Sequence, residues 1–291
     1  MTGPYVGAHS GDVIRLPLLW HYGGVWMDAG TMLFRHMDKI CWDVLSDPST
    51  PYEIAGIVPG TDPGNDVIMN GFIACKKGNG FIRRWHDVYL EIWKGRTDCI
   101  GLQKHPLLGP VKKVQVPQVL QDTFGIDNDL MNDYVTHSLS FKRVRMLQDP
   151  NDGFNGSEYW ERHAFVLPVS ETFLAQILSK FDGKRQFELL SLPREGVAPA
   201  DRDPEAEKFV QELLSHASTM KFSHGLKNNK MVHLSKFWDL PDNADADIAP
   251  GTFAAFLRWS STHLEQARSL EPLPVKCSPE ILKAGVLEVV E

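Results

Sequence analysis

The stretch from Asp12 to Gly30, D-V-I-R-L-P-L-L-W-H-Y-G-G-V-W-M-D-A-G, narrows most what this chain can fold into. Apolar residues recur at helical spacing up to the paired Gly23 and Gly24, and Val25 to Met27 form a short apolar run of β-formers. The reading is helix, turn, strand, with Asp28 at the strand's exit. Glycine has no Cβ and so takes the sharp, positive-φ turn that such a junction needs, and it also lets a backbone approach a ligand closely. Trp26 shares a strand face with Asp28 by the period of two, either as core filler or as the wall of a pocket. In open α/β sheets, ligands lie beyond the carboxyl ends of strands, which makes Asp28 the first candidate site residue.

The rest of the pattern also fits an α/β chain with a mixed sheet flanked by helices. Ser10 can cap a helix starting near Gly11, with Pro17 kinking it or delaying its start. Strands are expected near Glu53 to Val58 and Val67 to Ala74, separated by the loop I-V-P-G-T-D-P-G-N-D. The clearest helix runs from Phe81 to Trp93, with Asn79 as its cap and Gly95 as its stop. Residues 101–118 read as an irregular segment, and D-P-N-D-G-F-N-G over 149–156 as a turn cluster. Further helices are expected at Ser170 to Lys180, Glu205 to His216 and Thr252 to Ala267, with surface loops at 194–204 and 239–250. The length is compatible with one domain over 1–291, residues 1–150 holding the site and 151–291 a helical part.

A lone acid past a buried strand either caps a turn and pairs with a neighbouring cation, or holds a divalent ion. Mg²⁺ is commonly bound by one or two carboxylates together with phosphate oxygens and water, and a diphosphate leaving group fits that chemistry. On these residues, H-S-G-D-V-I-R-L-P-L-L-W-H-Y-G-G-V-W-M-D resembles the signature of the capsular-polysaccharide-synthesis and DXD sugar-binding glycosyltransferases, the Och1-like group of the GT-A fold. The match is dense over residues 9–42, and Asn70 to Asn79 and Ser223 to Gly225 add scattered points.

The resemblance implies a GT-A-like, Rossmann-related fold that moves a hexose from a nucleotide-diphosphate sugar to a sugar or glycan hydroxyl, with Mn²⁺ or Mg²⁺ and with retention. It places Asp28 and His224 on the metal and Asp12, Arg15, Gly23, Gly24 and Asn70 around the donor. Asp66 then orients the acceptor hydroxyl. Each has a plainer alternative: Asp12 and Arg15 as a helix-surface pair, the glycines as an ordinary turn, and His224 as a structural or exposed histidine. Lys76 and Lys77 either bind phosphate or form a solvated turn.

The chain departs from the family pattern twice. Asp28-Ala29-Gly30 stands where many relatives have Asp-x-Asp, and only eight residues precede His9 where such enzymes carry a strand–helix–strand unit. The expectation is either a start upstream of Met1 or a shortened relative. The rival reading is a glycosyltransferase-like binding or interaction protein that has lost catalysis. A phosphate-ester hydrolase has no second acid cluster to support it. Asp127-Asn128-Asp129, Asp201-Arg202-Asp203 and Asp245-Ala246-Asp247 lack a preceding buried strand and read as loop acids.

A net charge of −7 argues against nucleic acid as a partner. No apolar run reaches the ~20 residues of a membrane span, and no secretory signal opens the sequence. The chain as given reads as cytoplasmic; an anchor upstream would place it in the Golgi lumen. Its four cysteines form no C-x-x-C pair and read as free buried thiols.

Overall fold

The computed structural model describes residues 1–3, 5–60, 67–222, 230, 232–278 and 280–290. It is a mixed α/β chain. The strands are β1 (Gly24–Met27), β2 (Thr31–Leu33), β3 (Ile54–Val58), β4 (Phe72–Cys75), β5 (Leu147–Gln148), β6 (Ala164–Pro168), β7 (Thr219–Lys221) and β8 (Leu282–Lys283). Contacts divide the chain into two compact units that interleave in sequence: Met1–Met27, Cys41–Pro168 and Glu271–Glu291 form one, Asp28–Ile40 and Val169–Leu270 the other.

The first unit holds α1 (Val6–Tyr22), α2 (Asp43–Ser46), α3 (Gly80–Trp93), α4 (Gln118–Phe124), α5 (Asn128–Tyr134), α6 (Thr136–Met146) and α7 (Gly156–His163). Its sheet runs β1-β4-β3-β6. β4 is antiparallel to both neighbours and β3 is parallel to β6, so β1, β3 and β6 all point the same way. Both central strands are wholly buried, which is why they read as continuous apolar runs instead of alternating ones. Helix α3 buries Phe81, Trp85, Val88 and Ile92 as spaced, and the Asn79 side chain accepts from the Ile82 N–H at 3.0 Å. Helices α1 and α6 pack on α3. The short pair β5–β8 brings the C-terminal segment back to this unit.

Several boundaries differ from the sequence expectation. α1 begins at Val6, ahead of Ser10, and continues through Pro17; the residue at its N-cap, Tyr5, makes no side-chain cap. Burial of His9, Asp12, Leu16 and Leu19 along one face extends the helix past the point where capping signals would start it. β4 is shorter than the apolar run before it, because Met69 N–H bonds back to Ile57 and Phe72 N–H to Met69, forming a turn. The helices α4 to α7 were not legible in the sequence. None of the four cysteines is in a disulfide; Cys41, Cys75 and Cys99 are buried, but Cys277 is exposed.

The second unit is mostly helical: α8 (Ser170–Leu178), α9 (Gly183–Ser191), α10 (Pro204–His216), α11 (Leu234–Trp238) and α12 (Phe253–His263). Their apolar faces meet around Leu190, Phe209, Leu213, Phe253 and Leu257, with Met32 of β2 and Met220 of β7 in the same cluster. β2 and β7 pair antiparallel, Thr31 opposite Lys221 and Leu33 opposite Thr219. The start of β7 is held by a buried acid: Glu171 accepts from both terminal nitrogens of Arg268 at 2.7 and 2.6 Å and from the Ser218 hydroxyl. No helix among the described residues is long and apolar enough to cross a membrane.

Candidate active site

Gly23 ends α1 with φ +69° and donates its N–H to the Leu19 carbonyl at 2.8 Å, and Gly24 follows at φ +89°. A Cβ on Gly23 would lie 2.6 Å from the Lys77 backbone nitrogen, so the turn demands glycine for a close approach of protein to protein. Lys76 follows Cys75, which pairs with Gly24. Lys76 and Lys77 therefore stand beside the start of β1, at the other end of that strand from Met27, and Lys77 is exposed.

In the first unit, Asp12, Arg15 and Asn70 come together. Asp12 is 2% exposed. One of its oxygens accepts from Asn70 Nδ2 at 2.8 Å and pairs with Arg15 at 2.9 Å; the other lies 3.3 Å from His9 Nδ1 and 3.4 Å from the Tyr89 hydroxyl. Arg15 also donates to the Asn70 carbonyl and lies over the Trp26 ring at 5.1 Å. Burial works against charge on Asp12, but His137, His9 and Arg15 outweigh it and hold its carboxyl below the usual carboxylate value. Burial and the Asp12 charge push the Tyr89 phenol well above its ordinary value. Both Asp12 oxygens thus have protein partners. The geometry is that of a girder locking α1 to the residue just ahead of β4, and Asn70 is its half-exposed end.

Asp28 belongs to the second unit and follows directly on Met27. Its carboxylate accepts from Lys221 Nζ at 2.9 Å, with the two side chains 30% and 21% exposed. Lys221 ends β7, and its carbonyl accepts from Gln176 Nε2 at 2.8 Å. Two residues past Asp28, the Gly30 carbonyl accepts from Phe222 N–H at 2.7 Å, and a Cβ on Gly30 would meet the Phe222 carbonyl oxygen at 2.9 Å. Sequence reasoning gave Lys221 no role, and it had no signal to do so, since 193 residues separate it from Asp28. Asp66 and His224 lie outside the described residues.

The described residues offer a Mn²⁺ or Mg²⁺ ion the Asp28 carboxylate just past β1. No group of three His, Cys, Asp or Glu side chains gathers among the described residues, and the single carboxylate of Asp28 already faces an ammonium. The other acid-x-acid strings do structural work: Asp127 and Asp203 cap α5 and α10, and Asp247 pairs with Arg258.

Residues 6–101 match the model of the capsular polysaccharide synthesis protein family. The chain is 43% identical to O-glycosyltransferase braB of Annulohypoxylon truncatum over 99% of its own length and 70% of the relative's. It is 42% identical to glycosyltransferase afumC of Aspergillus fumigatus, over 100% of this chain and 75% of that one. O-glycosyltransferase PaGT of Phomopsis amygdali is 39% identical over 94% of this chain and 68% of its own. No solved structure matches the chain at a significant level. With such identity sustained along nearly its whole length, the chain belongs to the glycosyltransferase family of these relatives and carries the capsular polysaccharide synthesis signature in its first third.

Proposed function

We propose that this chain is an enzyme with a GT-A-like fold that transfers a hexose from a nucleotide-diphosphate sugar to a hydroxyl of a sugar or glycan, with retention at the anomeric carbon. The observation that carries this reading is Asp28: a partly exposed carboxylate immediately past the end of β1, held by a lysine. The shared direction of β1, β3 and β6 supports the GT-A-like reading, because ligands of open α/β sheets gather where parallel strands end. The names of the relatives braB and PaGT support an oxygen acceptor.

In this reading the bond from sugar C1 to the diphosphate oxygen breaks with its electron pair on the diphosphate, while the acceptor oxygen bonds to C1 and gives up its proton. Asn70, fixed by Asp12 and Arg15, contacts the donor sugar. Asp66 orients the acceptor hydroxyl, and His224 touches the diphosphate. Holding donor and acceptor together supplies much of the acceleration, since it removes the entropy cost of their encounter.

The test is incubation of the purified chain with a panel of nucleotide sugars and hydroxyl acceptors, following release of nucleoside diphosphate and the anomeric proton signal of the product. Release with one donor, lost in Asp28→Asn at unchanged folding, supports transfer. Absence of both binding and turnover over the panel overturns it in favour of a binding or interaction protein.

A further inference from the structure

We propose, on the basis of that transferase reading, that Lys221 supplies the positive charge which faces the donor diphosphate, and that Asp28 is its positioning partner, so that transfer needs no added divalent cation.

The backbone closes the place where a second acid would stand. Gly30 and Phe222 are joined by a 2.7 Å hydrogen bond, and the 2.9 Å approach of the Phe222 carbonyl to a Gly30 Cβ involves backbone, which cannot swing aside as a side chain does. The same pairing that excludes the acid delivers the lysine. Thr31 lies opposite Lys221 in the β2–β7 register, and the lysine side chain reaches Asp28 at 2.9 Å. Two carboxylates with a divalent cation are neutral as a set, and so are one carboxylate with one ammonium. The local charge before the diphosphate arrives is the same in both arrangements.

Lys221 is held ready. Its carbonyl is fixed by Gln176, a residue 6% exposed, and the other end of β7 is tied to Glu171, 4% exposed, through Ser218 and Thr219. A cation already in place does not have to be reorganised as charge develops, which is the condition under which it stabilises a transition state most. An ammonium has three N–H donors. One is directed at Asp28, leaving two for phosphate oxygens, and the 21% exposure of the side chain leaves it reachable. As the C1–oxygen bond breaks, the electron pair settles on the diphosphate and Lys221 neutralises it without giving up a proton. The acceptor's proton leaves to water or to the departing diphosphate. A merely structural ion pair of this exposure would contribute little to stability and nothing to phosphate affinity.

Three measurements on the full chain test the proposal: nucleoside diphosphate release with EDTA or with Mn²⁺, calorimetric titration with inorganic pyrophosphate, UDP and GDP in EDTA, and thermal unfolding. Each is made on wild type, Lys221→Met and Lys221→Arg. The expected result is turnover unchanged by EDTA, pyrophosphate and nucleoside diphosphate binding weakened about ten- to hundredfold in Lys221→Met, and most of it restored in Lys221→Arg. Turnover abolished by EDTA and restored by Mn²⁺ overturns the proposal and leaves the transferase reading standing. So does wild-type affinity in Lys221→Met. Absence of turnover with every donor sinks the transferase reading instead, and the pyrophosphate titration still decides whether Lys221 binds a diphosphate. If Lys221→Met does not fold, the EDTA arm and the Arg variant carry the decision.

Discussion

The backbone N–H of Phe222 donates to the Gly30 carbonyl at 2.7 Å, which leaves no room for a side chain at position 30. The missing second acid is therefore a consequence of how Asp28–Thr31 meets the end of β7. Gly30→Asp will not convert the chain into a metal-dependent enzyme. It is expected to destabilise by about 1–3 kcal/mol, the usual cost of forcing atoms into packed space. Urea unfolding checks the first part, and nucleoside diphosphate release with and without Mn²⁺ the second. A Gly30→Asp protein of native stability with Mn²⁺-stimulated turnover would contradict both.

Asp12 sets an acid limb on the stability of the first unit. His137, His9 and Arg15 lower its carboxyl below the ordinary value despite burial, and Tyr89 stays a neutral phenol beside it. A lowered folded-state pKa gives stability that is fully present above the unfolded value of about 3.9 and is lost as pH falls through the folded one. Asp12→Asn should therefore flatten the acid limb of unfolding below about pH 4. At neutral pH the variant also takes one carboxylate away from Arg15, 4% exposed, and is expected to lower the urea midpoint. Urea midpoints measured from neutral to acid pH for wild type and variant test both effects; parallel curves would refute the linkage.

What was legible in the sequence is what local periodicity encodes. The face of α3 and its Asn79 cap, the Gly23–Gly24 turn and β1 all follow from a period of 3.6 or 2 and from backbone chemistry. The short helices α4, α5 and α11, of seven residues or fewer, were not legible, since they draw their stability from tertiary packing and carry little period of their own. Partners were illegible for a different reason. Asp12 and Asn70 are 58 residues apart, and Asp28 and Lys221 are 193 apart. A pattern says which face is buried but not against what, so the lysine beside Asp28 and the interleaving of the two units needed coordinates.

Asn79 has two functions that an alanine removes together. Its oxygen caps α3 through the Ile82 N–H, and its Nδ2 donates to the Tyr159 hydroxyl, which in turn donates to Glu53 at 2.8 Å. Loss of an N-cap alone costs about 1 kcal/mol. Because Asn79 is 5% exposed and Tyr159 also loses a partner, Asn79→Ala is expected to cost about 2–3 kcal/mol. Asn79→Asp keeps the cap oxygen and should recover part of that, whereas equal losses in the two variants would show that the cap contributes nothing.

Arg143, fully buried on α6, has no carboxylate within ion-pair distance among the described residues and spends its guanidinium on carbonyls: Leu107 at 2.8 Å, Val286 at 3.3 Å, and Gly285 and Glu288. Burial lowers its pKa, yet a guanidinium stays charged, and the fan of donors ties the C-terminal segment behind β8 to the first unit. Arg143→Met keeps the volume but orphans those acceptors, which should cost about 2–3 kcal/mol and open residues 285–290 to protease before global unfolding. Arg143→Lys should rescue little, since one ammonium on a flexible stem cannot reach several carbonyls at fixed angles. Limited proteolysis read by mass spectrometry, alongside urea unfolding, follows both consequences; a C-terminal segment as resistant in Arg143→Met as in wild type would show that β8 and the Val286 N–H bond to Asp149 anchor it without the arginine.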